Sequence, residues 1–180
     1  AIAHSLIIVV TTRGDVLSRS RGRGQFVKLM NGGGKERKSA MHAHFAARNG
    51  LWDEYGMGFR NPAILDISPP MLSIEPPHGA EAGKGESYSC VWVQFCLIDH
   101  EQIVQIDEPV NCAPHRRPTT GGRWGHYEIG GERLKCAEAI RYYKDPDVAF
   151  CLEPLLMVKQ GPHHSGVNYP RVKKTWQEWR

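Results

Sequence analysis

Phe26 to Met57 reads FVKLMNGGGKERKSAMHAHFAARNGLWDEYGM. A short apolar run, Phe26 to Met30, enters a glycine triplet (Gly32, Gly33, Gly34). A helix-capable segment follows, carrying Arg48 and then the acidic pair Asp53–Glu54 before Gly56. Glycines ahead of a helix let backbone amides come close to a ligand, and those amides favour negative charge. Carboxylates supply the oxygen ligands that hard divalent ions such as Mg²⁺ prefer. Strand, glycine loop and acidic helix is an arrangement that lets a divalent metal and a diphosphate meet on one surface.

Within the helix, expected from Glu36 to about Tyr55, the residues Met41, Phe45, Arg48, Trp52 and Tyr55 fall at intervals of four, three, four and three. That spacing makes one helical stripe, expected to pack on the core with the Arg48 stem along it. Gly50 interrupts the helix at a cost of about 1 kcal/mol relative to alanine.

Outward from this stretch, Ser5 to Val10 (SLIIVV) is a continuous apolar run that reads as a buried strand. Thr11 to Asp15 supplies a turn, and Val16–Leu17 begins a short return strand. The Arg-Gly-Asp triplet here reads as hairpin chemistry. A basic loop, SRSRGRG, leads to the strand at Phe26. Downstream, Ala63 to Ile67 and Met71 to Ile74 read as short strands separated by Pro69–Pro70. Glu75 to Ser87 reads as a loop, Tyr88 to Ile98 as the strongest strand, and Ile103 to Ile106 as its partner. Val110 to Gly125 reads as another loop and Glu132 to Tyr143 as a helix. Asp145–Pro146 begins a further segment, read as helical through Leu156. Strands mixed with separated helices give an α/β (α+β mixed) class of packed layers.

The 180 residues suit one domain, assigned to 1–158, with a basic aromatic tail over 159–180 that contains Trp176 and Trp179. No apolar run approaches the roughly 20 residues of a membrane span, and no signal-peptide pattern precedes the first strand. Five scattered cysteines without a CxxC pair read as reduced thiols, which places the chain inside a cell. Net charge is +4, but residues 13–38 carry eight basic side chains against Asp15 and Glu36. The tail from Lys159 adds five more against Glu178. Such a distribution is either a solvated face or a footprint for phosphates.

The order of these parts resembles the Nudix hydrolase family, whose members begin with an apolar strand, a tight turn, a return strand and a basic loop into a glycine entry. The family box reads G-x5-E-x7-R-E-U-x-E-E-x-G-U, with U a bulky apolar residue. From Gly34 the spacing lands on Ala40 where the family has glutamate, and then on Arg48 as the pattern requires. Asn49 stands where the next glutamate belongs, and Gly50 resembles a one-residue insertion. Leu51, Trp52, Asp53, Glu54, Tyr55, Gly56 and Met57 resemble the remainder. The resemblance covers about 140 residues and implies a mixed sheet sandwiched between helices.

It also implies a pyrophosphohydrolase using Mg²⁺ or Mn²⁺ on a nucleoside-diphosphate-linked compound or a capped or 5′-phosphorylated RNA. On that plan Asp53 and Glu54 bind metal, with Glu36 as a replacement ligand, and Arg48 orients a carboxylate. Gly33 and Gly34 approach the phosphates, while Arg21, Arg23 and Lys35 steer the anion. The competing reading is an inactive Nudix-fold protein that binds RNA or assembles ribonucleoprotein, with the tail tryptophans stacking bases, or docking on the domain's own core or on a protein partner. Two weaker constellations read differently. His42-x-His44 diverges by about 200° on a helix and reads as surface histidines. Cys112, His115, His126 and Cys136 have zinc-like ligand types but no compact zinc spacing.

Overall fold

In the computed structural model, which describes residues 3–19, 35–36, 40–75, 89–108, 122–144, 148–158 and 169–180, the opening apolar run forms β1 (Ala3–Thr11). It returns as β2 (Asp15–Arg19) through the expected tight turn. Gly14 takes φ +82°, a backbone region open to glycine at little cost, and its N–H meets Thr11 O at 2.8 Å. Thr11 Oγ1 accepts from the amides of Arg13 and Asp15 at 3.2 and 3.3 Å, so the Arg-Gly-Asp triplet is turn chemistry.

Lys35–Glu36 pairs with β1 as β3, and the long helix α1 spans Ala40–Tyr55, beginning later than the sequence suggests. Next come β4 (Ile64–Ile67), β5 (Met71–Glu75), β6 (Ser89–Ile98), a 3-10 turn and β7 (Ile103–Gln105). Then follow β8 (Arg123–Gly125), β9 (Tyr127–Ile129), β10 (Glu132–Arg133), α2 (Ala137–Tyr143), β11 (Phe150–Pro154) and α3 (Tyr169–Trp179).

The larger sheet runs β4-β6-β1-β2-β11-β8, with β3 also on β1 and β5 also on β6. β1 and β6 are parallel over nine paired positions, Ala3↔Cys90 to Thr11↔Ile98, while the other pairings are antiparallel. The chain is thus α+β, built on a mixed sheet. A three-stranded sheet, β10-β9-β7, stands beside it.

Alternation along the central strands assigns the two faces. Ile7, Val9, Cys96 and Ile98 face α1, packing with Ala47, Leu51 and Tyr55 and with Ile129 and Leu134. Leu6, Ile8, Val10, Val93 and Phe95 face the other way, against Tyr169, Val172 and Trp176 of α3. Strands apolar on both faces lie at the centre of a layered fold, which is why SLIIVV shows no polar alternation.

Three sequence expectations are corrected. The strand at Ile103–Gln105 does not pair with β6 but with β9, Ile103 opposite Ile129, in the smaller sheet. The core stripe of α1 is Ala47, Leu51 and Tyr55, flanked by Ala46, Gly50 and Glu54; Phe45, Arg48 and Trp52 are exposed. Of the expected stripe Tyr55 is buried as expected, whereas Phe45 and Trp52 lie at the surface. The segment expected to be a helix through Leu156 is β11 over Phe150–Pro154. It is held on both edges, Leu152 opposite Leu17 and Arg123. Pairing with two neighbours outweighs the local helix signal. The expected strand at Phe26 and the glycine triplet lie outside the described residues.

Candidate functional site

Helix α1 ends at the residues that the sequence singles out. Gly56 adopts φ +68° and its N–H closes on Trp52 O at 2.8 Å, so the helix stops directly after Asp53, Glu54 and Tyr55. Glu54 points into the protein, where its carboxylate meets Arg19 from the end of β2. Arg19 Nε donates to Glu54 Oε2 at 2.6 Å, and Nη2 also reaches Oε2. The two side chains are 7% and 8% exposed, which makes this a buried ion pair. Beside it Tyr55 donates its hydroxyl to Leu17 O at 2.7 Å and stacks with Phe150. Burial first, then the Glu54 charge, pushes the Tyr55 phenol well above its ordinary range.

Asp53, one residue earlier, turns away by about 100° and is half exposed, 3.9 Å from Arg141 Nη2. The Cys136 thiol donates to Asp53 O at 3.5 Å, and burial raises its pKa.

Arg48 does not take the orienting role expected of it. The helix is continuous α over Ala40–Tyr55. Six residues separate Arg48 from Glu54, a rotation of about 240° that leaves Arg48 on the solvent face. Arg19, from a different strand, is the guanidinium on Glu54. Gly33, Gly34, Arg21 and Arg23, and the side chains of Lys35 and Glu36, lie outside the described residues.

The acids do not by themselves fit a magnesium or manganese site. Such ions take a near-octahedral set of oxygens. Among the described residues no three His, Cys, Asp or Glu side chains gather suitably for any metal. Glu54 is held by a guanidinium, and Asp53 diverges from it. The zinc-like set is likewise not assembled among these residues: His126 Nδ1 lies 2.7 Å from Asp107 Oδ2, while Cys136 is beside Asp53. The bond from His126 holds the exposed Asp107 carboxyl below its ordinary range.

A second group of residues is visible only in the fold. Ser5 on β1 stands opposite Trp92 on β6, and Ile7 stands opposite Gln94. Strand alternation puts Ser5, Trp92 and Gln94 on the α1 face, beyond the end of the apolar cluster. Ser5 is 2% exposed and Gln94 1%. Ser5 Oγ, Trp92 Nε1 and Gln94 Oε1 are buried with no hydrogen-bond partner among the described residues. Gln94 Nε2 is engaged: it donates to Ser68 O at 3.0 Å and lies 3.2 Å from His44 Nδ1. Leaving such an atom unsatisfied costs about 1–3 kcal/mol. Three at neighbouring positions combine donor and acceptor character in one buried polar group. The sequence signal was a tryptophan and a glutamine interrupting the apolar run VWVQFCLI.

The tail tryptophans have a different task. Trp176 and Trp179 pack on Phe95 with ring centroids 5.1 and 5.8 Å away, and on each other at 5.7 Å. Of the alternatives for these tryptophans, docking on the domain's own core is the one the structure holds, because α3 lays its apolar stripe on the second face of the sheet.

No known protein-family model matches this chain, and no curated protein matches it.

Proposed function

We propose that this chain is a Nudix-like domain that binds a nucleoside-diphosphate-linked compound or the capped or 5′-phosphorylated end of an RNA. In this reading the base edge meets Ser5, Trp92 and Gln94. The observation that carries it is the trio of buried, unpartnered polar atoms on the α1 face. Trp92 supplies a donor, Gln94 an acceptor, and Ser5 either. A nucleobase edge offers the matching acceptors and donors in one plane.

Binding without turnover is favoured because Glu54, the acid most needed for metal chemistry, is committed to Arg19 in a buried pair. The acidic end of α1 then acts as a structural lock between helix and sheet. A second reading, pyrophosphate hydrolysis with Mg²⁺ or Mn²⁺, draws on the half-exposed Asp53 carboxylate beside Glu54.

One experiment separates them. Purified protein is titrated with ADP, GDP and a capped dinucleotide, and product release is followed with each metal. Metal-independent binding that Gln94→Leu weakens, without product, is the expected result. Product release removed by both Glu54→Gln and Asp53→Asn would establish the second reading instead.

A further inference from the structure

The two contacts of Gln94 fix more than its position. Ser68 O, a backbone carbonyl, only accepts, so the amide atom 3.0 Å from it is the nitrogen. The remaining amide proton runs toward His44 Nδ1, 3.2 Å from the same nitrogen. Nδ1 takes that proton only through a lone pair, so in this arrangement Nδ1 accepts and the ring proton lies on Nε2. Both Gln94 protons are thereby committed, and Oε1 remains as a buried pure acceptor without a partner among the described residues. The His44 ring is itself set by Phe59, tilted against it at 5.2 Å.

We infer that His44 is a positioning residue for ligand recognition. It fixes the Gln94 amide with its oxygen left unpartnered in the buried polar cluster, so that the cluster selects ligand edges presenting an N–H donor. The inference rests on the nucleotide reading above and adds to it a determinant of specificity on a different element. Without His44, the amide keeps only its bond to Ser68 O and gains freedom to tilt. A base lacking donors meets a buried carbonyl oxygen that it cannot satisfy, and is rejected.

The test compares ADP with purine riboside 5′-diphosphate, which keeps the ring acceptors of adenine but carries no base N–H donor. Wild-type protein is expected to prefer ADP about tenfold, as befits one buried acceptor left unmade. His44→Leu reduces that preference to about twofold with the thermal midpoint preserved, whereas His44→Asn, which offers an acceptor near the Nδ1 position, restores it. An undiminished preference in His44→Leu overturns the inference. Nitrogen-15 NMR of the unliganded protein gives a readout independent of nucleotide: His44 is expected as the Nε2–H tautomer, and a dominant Nδ1–H tautomer overturns the positioning role. Failure of wild-type protein to bind either nucleotide removes the nucleotide reading and with it the selection role, whereas binding without the His44 effect removes the inference alone.

Discussion

Arg19 and Glu54, 35 residues apart in sequence, meet as a buried ion pair that ties the end of β2 to the last turn of α1. Arg19 Nε and Nη2 both approach the same carboxylate oxygen. Removing one partner strands the other charge away from water, which costs about 3–5 kcal/mol. Arg19→Leu is therefore expected to lower unfolding stability by that amount in urea titrations. The double variant Arg19→Leu, Glu54→Leu recovers most of the loss, because an apolar pair of similar volume leaves no buried charge. Additive losses in the double-mutant cycle would show that the two residues act independently.

The α3 helix belongs to the core through its tryptophans. Trp176 is 8% exposed and lies edge-on against Phe95, which is fully buried. Trp176→Ala is expected to cost about 3–5 kcal/mol in chemical denaturation, as for other large aromatic deletions from a core. A cost below about 1 kcal/mol would mean that α3 does not stabilise the second face.

Cys96 makes stability fall in alkaline solution. Burial pushes its thiol up to about 12 from an ordinary 9.0. Between those values the unfolded chain loses the proton while the folded chain keeps it. The unfolded state thus binds fewer protons, and stability declines as pH rises through that window; below it the contribution is constant. Unfolding free energies of wild type and Cys96→Ala, compared at pH 8 and pH 10, are expected to converge at the higher pH. In the folded protein Cys96 is expected to resist alkylation at pH 8.

Gly56 ends α1 in the left-handed region, at φ +68°, with Lys135 packed against it. A Cβ at this position meets Lys135 Cγ at 2.7 Å. Gly56→Ala combines backbone strain with that contact and is expected to cost about 1–3 kcal/mol in thermal unfolding. A neutral result would indicate that the helix end relaxes.

Much of the architecture was readable from local patterns. SLIIVV, the Thr11–Asp15 turn and the run ending at Ile98 each carry a strong signal, so β1, its hairpin and β6 were expected. The face of α1 was not, since Phe45 and Trp52 outweighed Ala47 and Leu51 in any count of apolar residues. β11 was missed because its identity comes from neighbours on both edges rather than from its own composition. At the site, the box pattern drew attention to Asp53 and Glu54 but named Arg48 as their partner. A linear motif cannot register that helix rotation turns Arg48 to solvent while a strand delivers another guanidinium, Arg19. Likewise Ser5, Trp92 and Gln94 become a group only through the parallel register of β1 and β6.

The most direct test of the account is the Trp92 indole N–H resonance during titration with ADP and with GDP in the absence of divalent metal. The account predicts a saturable shift of that signal, together with the Gln94 side-chain amide, for at least one of the two nucleotides. The shift is expected to persist in Glu54→Gln and disappear in Gln94→Leu. An unmoved Trp92 indole at saturating concentrations of both nucleotides would contradict it, and would leave the buried polar cluster to ordered water.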